Sequence, residues 1–206
     1  FRDYGRPVRD MVSGSMPPKL AKIMVNLSQA RPDAVLLDPF CGSGTVLQEA
    51  ILLGYKKLIG SDISQKAVND TQANLDWLEN KYSFDAEYKL LQLDVKNLSN
   101  KFDEIDAIVT EPYLGPPIKG SESVKDIEKI VSSLENFYVS AFNQFYKVLN
   151  DGGKVVIVIP WFKKYNFMPD VLTQIKKIGF NQLNKKDLIY SRADQKVWRK
   201  IFIFEK

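Results

Sequence analysis

A chain of 206 residues, 45% apolar and 26% charged, has the balance of a soluble globular protein and is long enough for one domain with its own core. The single cysteine, Cys41, and the complete lack of histidine exclude disulfide frameworks, Cys/His zinc sites, histidine bases and catalytic triads. A formal charge of +4 permits a polyanionic partner without making a dense basic stripe, and no apolar run reaches the roughly 20 residues a bilayer span requires, so the expected location is the cytoplasm.

In chain order, a polar lead-in precedes Pro18, which can occupy the first turn of a helix whose apolar face is Leu20, Ile23, Met24 and Leu27. From Ala34 onward, short β-rich runs alternate with helical patterns: strands near 34–40, 58–63, 88–95, 107–112 and 154–160, helices near 44–53, 65–80, 124–149 and 167–178. Ser64 and Ser123 stand at N-cap positions, and Gly54, Gly152 and Gly179 stand where helices should stop. The long helix carries an apolar stripe, Ile127, Ile130, Val131, Leu134, Phe137, Tyr138, Ala141, Phe142 and Phe145, whose plain role is packing on the sheet. Leu183–Ser191 and Val197–Phe204 follow with no helix between them, as an antiparallel hairpin around Asp194. The expected fold is an α/β Rossmann-like domain, a seven-stranded, mostly parallel sheet closed by that hairpin, with helices on both faces. Residues 1–30 form its lead-in and first helix and 31–206 its core. The abrupt start at Phe1 suggests a domain cut from a longer protein.

Three strands end in acids. The first runs into Asp38-Pro39-Phe40-Cys41-Gly42-Ser43-Gly44, where Gly42 and Gly44 let backbone approach a ligand and Asp38 can pair with a cationic amine. Asp62 ends the second strand twenty positions after Gly42, the spacing of a ribose-hydroxyl acceptor. Asp94 ends the third, where its carboxylate and the following backbone amide can read a purine edge. Each acid alone could equally cap a helix or open a turn. Together they point at one crevice, open to either a sulfonium cofactor or an oxidoreductase dinucleotide. The Gly-x-Gly turn lacks the third glycine of the dinucleotide fingerprint.

The fourth strand runs into Thr110-Glu111-Pro112-Tyr113-Leu114-Gly115-Pro116-Pro117, which resembles the amino-methyltransferase loop of an Asp or Asn, two prolines and an aromatic. With Arg2-Asp3-Tyr4-Gly5-Arg6-Pro7-Val8-Arg9-Asp10, Met16-Pro17-Pro18-Lys19-Leu20-Ala21 and the turn from Asp38 to Gly44, the chain is similar to the archaeal and eukaryotic THUMP-associated tRNA guanine-N2 methyltransferases that modify position 10. The resemblance covers most of the chain and is strongest before residue 120. It implies a class I methyltransferase using S-adenosylmethionine, a tRNA substrate, and an upstream THUMP-type RNA-binding domain. The segment from Asp38 to Gly44, with Pro39 and Phe40, would hold the methionine part, Asp62 the ribose, Ile63 the adenine face, and Asp94 with Val95 the adenine edge. Tyr113 would stack on the target guanine. No metal is required.

The loop departs from the family pattern. Aligned on Pro112 and Tyr113, Thr110 occupies the Asp/Asn position and Glu111 replaces the first proline. Either Glu111 has taken over the acceptor role and Pro112 keeps the loop rigid, or Thr110 is a weaker substitute and turnover is slow, altered or lost. Glu111 as a solvated loop charge and Tyr113 as a core aromatic are the plain alternatives. Arg2, Arg6 and Arg9 are candidate phosphate contacts. Cys41 lies in the cofactor turn, where a small buried residue fits better than a thiolate attacking cytosine. A DNA adenine or cytosine amino-methyltransferase and a catalytically impaired cofactor- or RNA-binding module are the competing functions.

Overall fold

The computed structural model describes residues 5–8, 16–118, 120–162, 169–191 and 197–206. Helix α1 (Pro18–Ser28) begins with proline, whose missing N–H costs nothing in a first turn. Then follow β1 (Val35–Asp38), α2 (Thr45–Leu52), β2 (Lys57–Asp62), α3 (Gln65–Glu79), β3 (Glu87–Gln92), a 3-10 helix (Val95–Asn100), β4 (Ile105–Thr110) and α4 (Val124–Val148). The chain closes with β5 (Leu149–Phe162), α5 (Pro169–Ile178), β6 (Asn181–Gln182), β7 (Leu188–Tyr190) and β8 (Val197–Glu205). Ser64 and Ser123 cap α3 and α4 through their side-chain oxygens.

The strand order is β3-β2-β1-β4-β5-β8-β6, with β7 also on β8. Strands β1 to β5 pair in parallel and β8 runs antiparallel to β5. Since β5 lines one edge of β8 throughout, β6 and β7 share the other. The first strand of the expected hairpin, Leu183–Ser191, is therefore interrupted, giving eight strands among the described residues instead of seven. Asn184 fills the interruption, accepting from the Ile203 amide at 2.9 Å and donating to the Ile201 carbonyl at 3.3 Å. The hairpin's turn around Asp194 lies outside the described residues.

Both faces of the sheet are covered, as a parallel sheet requires. One carries α4 and α5, where Tyr138, Phe142, Phe145, Phe180, Phe202 and Phe204 are fully buried. Edge-to-face contacts link Phe142 to Phe145, Phe180 and Phe204. The α4 stripe thus packs on the sheet. The other face carries α1, α2 and their neighbours, around Met24, Leu36, Leu47 and Leu75. Two expected boundaries differ. Gly152 is not a helix stop: α4 passes directly into β5, and Gly152 sits in the irregular start of that strand, its amide on the Lys206 carbonyl at 3.0 Å. β3 ends at Gln92, so Asp94 is the N-cap of the 3-10 helix and not a strand end.

Candidate active site

The carboxyl ends of β1, β2 and β4 lie side by side, so the loops leaving them share one edge of the sheet. At the first loop, Asp38 is buried, accepts from the Phe40 amide at 3.2 Å, and accepts from the Thr110 hydroxyl at 2.6 Å. Burial pushes its carboxyl up to about 7. The hydroxyl and amide hydrogen bonds oppose that rise, while the charges of Asp62 and Glu111 add to it. Asp38 is thus a half-ionised carboxyl at neutral pH that a cation would hold in its charged form.

The turn beyond it is shaped by two left-handed glycines. Gly42, φ +53°, has open space where a Cβ would stand, whereas at Gly44, φ +77°, a Cβ would come within 2.8 Å of the Thr71 methyl. The second loop holds the first. Asp62 accepts from the Gly42 amide at 3.1 Å and from the Ser64 amide at 2.9 Å, so this acid both shapes the turn and starts α3. A carboxylate has about four acceptor sites, which leaves capacity for a diol. Ile63 beside it is 66% exposed, an apolar side chain left uncovered next to Asp62. Asp94 accepts from the Lys96 amide at 3.0 Å. Val95 is buried in the core, which leaves its backbone and not its side chain for any ligand contact. Pro39 is buried and Phe40 half-buried, its ring 5.4 Å from that of Phe137 on α4.

The candidate reaction loop leaves β4. Thr110 is fully buried and its hydroxyl is committed to Asp38. Glu111 is not a solvated charge: Arg199 of β8 grips it with Nε to Oε2 at 2.6 Å and Nη2 to Oε1 at 3.0 Å, with side-chain exposures of 11% for Arg199 and 12% for Glu111. Burial alone would lower the Arg199 guanidinium, but the hydrogen bonds and charge of Glu111, with Tyr190, more than offset this and raise it. Pro112 is buried. Tyr113 is 57% exposed, so it is no core aromatic, and its carbonyl accepts from the buried Tyr138 hydroxyl at 3.3 Å. Burial, with the charge of Glu111, holds that hydroxyl protonated. Cys41 is buried and its thiol pushed far up by burial and by Asp38, which suits packing and not nucleophilic attack.

The lead-in does not present Arg6 to a polyanion. Arg6 is 4% exposed and donates to the Thr45 hydroxyl at 2.6 Å, at the start of α2. Arg2 and Arg9 lie outside the described residues. Buried Asn74 completes the attachment, exchanging hydrogen bonds with Val8 at 3.1 and 3.0 Å and donating to the Ser43 carbonyl at 2.8 Å. Sequence reasoning missed Asn74 and Arg199, and read Tyr138 only as a packing residue of the α4 stripe without its hydrogen bond to the loop. The contacts that give them these roles reach across long stretches of chain, which no local pattern marks. Among the described residues no group of acids and cysteine has the arrangement of a metal site, and no helix is long and apolar enough to cross a membrane.

Comparison with known proteins gives the family and its relatives. The family model described as UPF0020, RMKL-like, methyltransferase domain matches residues 6–170. A tRNA (guanine(10)-N2)-dimethyltransferase of Methanothermobacter thermautotrophicus is 35% identical, over 78% of this chain and 43% of that protein. A probable tRNA (guanine(10)-N2)-dimethyltransferase of Methanothermococcus thermolithotrophicus is 37% identical, over 85% of this chain and 99% of its own length. Among solved structures, TrmN from Thermus thermophilus superposes with a TM-score of 0.66 at 24% identity, covering 94% of this chain and 50% of that one, a likeness of fold. The chain spans well under half of the Methanothermobacter relative and of a Methanocaldococcus jannaschii one, at 43% and 38% of their lengths. With the family model spanning most of its length and the site's loops at the carboxyl edge of the sheet, the chain belongs to the UPF0020 family of RMKL-like methyltransferase domains.

Proposed function

We propose that this domain transfers a methyl group from S-adenosylmethionine to the exocyclic N2 amine of a guanosine in tRNA, in the cytoplasm, as part of a longer protein with an upstream THUMP-type RNA-binding domain. The observation that carries the reading is the Asp38–Thr110 hydrogen bond at 2.6 Å, which ties the cofactor turn to the reaction loop so that donor and acceptor groups meet at one edge. The names of the relatives supply the guanine and the tRNA. The residues fit the cofactor: a buried acid for its amine, Gly42 open to its backbone approach, Asp62 for the ribose hydroxyls, exposed Ile63 for one face of adenine, and Asp94 with the Val95 backbone for its edge.

Bound S-adenosylmethionine supplies a methyl group on a sulfonium, which needs neither metal nor covalent nucleophile. The chain's part is placement. Tyr113 stacks on the guanine, and Glu111 accepts a hydrogen bond from the N2 amine, turning the nitrogen lone pair toward the methyl and favouring the positive charge that develops on nitrogen. Asp38, Asp62 and Glu111 together set a negative field that suits a cationic donor.

The Thr110 hydroxyl belongs to the cofactor side of the site, because it lowers the Asp38 carboxyl. Thr110→Val should therefore weaken donor binding roughly fivefold at pH 7, about the worth of one hydrogen bond, and much less at pH 9, where Asp38 is ionised regardless. Calorimetry at the two pH values checks this, and a loss confined to turnover would refute it. The reaction itself is tested by incubating the full-length protein with methyl-labelled cofactor and either bulk tRNA or duplex DNA. Label in tRNA is the expected result. Label in DNA would favour an amino-methyltransferase of other substrate, and donor binding without transfer to either would leave a binding module.

A further inference from the structure

We infer that Arg199, on the terminal strand β8, is the positioning residue of the reaction loop: it fixes the Glu111 carboxylate so that the oxygens' remaining lone pairs face the guanine amine. The inference rests on the reaction proposed above. Its observation is the forked pair, Nε on one carboxylate oxygen at 2.6 Å and Nη2 on the other at 3.0 Å, with both side chains almost withdrawn from solvent.

Two features make this more than a strut. First, the anchor is rigid and the anchored residue is not in regular structure. Arg199 is paired on both sides, with Pro160 of β5 and Tyr190 of β7, whereas Glu111 opens the irregular segment between β4 and α4. A rigid strand that fixes the first loop residue sets the direction of everything after it, including Pro112 and Tyr113. Second, the fork engages one acceptor site on each carboxylate oxygen and leaves others open. Glu111 is therefore oriented without being used up. The acid would otherwise stand close to Asp38, whose carboxyl responds to its charge, and that repulsion would swing it away. A lysine could balance the charge but not hold the plane of the carboxylate.

The test uses the full-length protein, with donor affinity, thermal unfolding, kcat and KM for tRNA measured on Arg199→Lys and Arg199→Met. Misplacing a reacting group by about an ångström costs on the order of 10²-fold in rate. Arg199→Met should lose about 10²-fold in kcat with donor affinity within about twofold of native, and Arg199→Lys should fall between the two. Arg199→Met strands a largely buried acid and can unfold, so Arg199→Lys, which keeps the charge balanced but cannot hold the plane of the carboxylate, decides. It should melt close to the native temperature and still lose about tenfold in kcat. Native kcat in a folded Arg199→Met, or an Arg199→Lys variant with kcat within about threefold of native, would overturn the inference, because either result is that of a strut. A native protein that transfers no label to tRNA refutes the proposed reaction and this inference with it.

Discussion

Asp38→Asn should melt about 10 °C above the native sequence at pH 8 while binding S-adenosylmethionine some 10²–10³-fold more weakly. The stabilising half follows from burial, which pushes the Asp38 carboxyl from 3.8 to about 7. The folded state then holds a proton that the unfolded chain gives up near pH 4, so each unit of pH rise between those values favours unfolding. The cost is absent below about pH 4 and complete above about pH 7, on the order of 3 to 4 kcal/mol. Asparagine keeps an oxygen for the Phe40 amide and the Thr110 hydroxyl and removes the charge. The stability gain should vanish at pH 4. The weakened binding follows from the same charge, which the amine of the donor would otherwise meet in a buried setting. A variant that is no more stable at pH 8, or that binds donor as well as native, would contradict the assignment.

The two glycines of the turn should fail in opposite ways. Gly44→Ala puts a Cβ 2.8 Å from the Thr71 methyl on a backbone with φ +77°, so unfolding free energy should fall by about 3 kcal/mol, part of it left-handed strain and part the clash. Gly42→Ala, at φ +53° with open space beyond, should cost only about 1 kcal/mol of stability yet weaken donor binding tenfold or more, because the methyl enters the crevice. Chemical denaturation and calorimetry on both variants separate the two. Adding Thr71→Ser to Gly44→Ala removes the clashing methyl and should return part of the lost stability. Equal effects of the two alanines on binding would mean that the crevice does not lie over Gly42.

The parts of this domain that were legible in the sequence are those written in short-range pattern. The alternation of β-rich and helical runs marked the parallel sheet, the serines before α3 and α4 marked their caps, and the α4 stripe marked a buried helix. Asp38 and Asp62 were legible as the last residues of β1 and β2, whose ends sheet topology brings to one edge, whereas Asp94 falls two residues past the end of β3. What escaped depends on contacts between distant segments. Nothing near Arg199 indicates that β8 inserts beside β5 and meets a residue 88 positions earlier. Arg6 looks in sequence like a free cation before a domain, but folding draws it under the start of α2. Gly152 misled because a glycine after a helix is ordinarily a stop, whereas here the helix runs straight into a strand. In the reaction loop, alignment by residue type left Thr110 and Glu111 as rivals for one role. Geometry separates them, with Thr110 turned to Asp38 and Glu111 held by Arg199.

The most direct measurement of the central claim is the identity of the methylated nucleoside. Transfer RNA methylated by the full-length protein with labelled S-adenosylmethionine, digested to nucleosides and resolved by mass spectrometry, should carry the label as N2-methylated guanosine. Label on N6 of adenosine or C5 of cytidine, with guanosine unmodified, would contradict it.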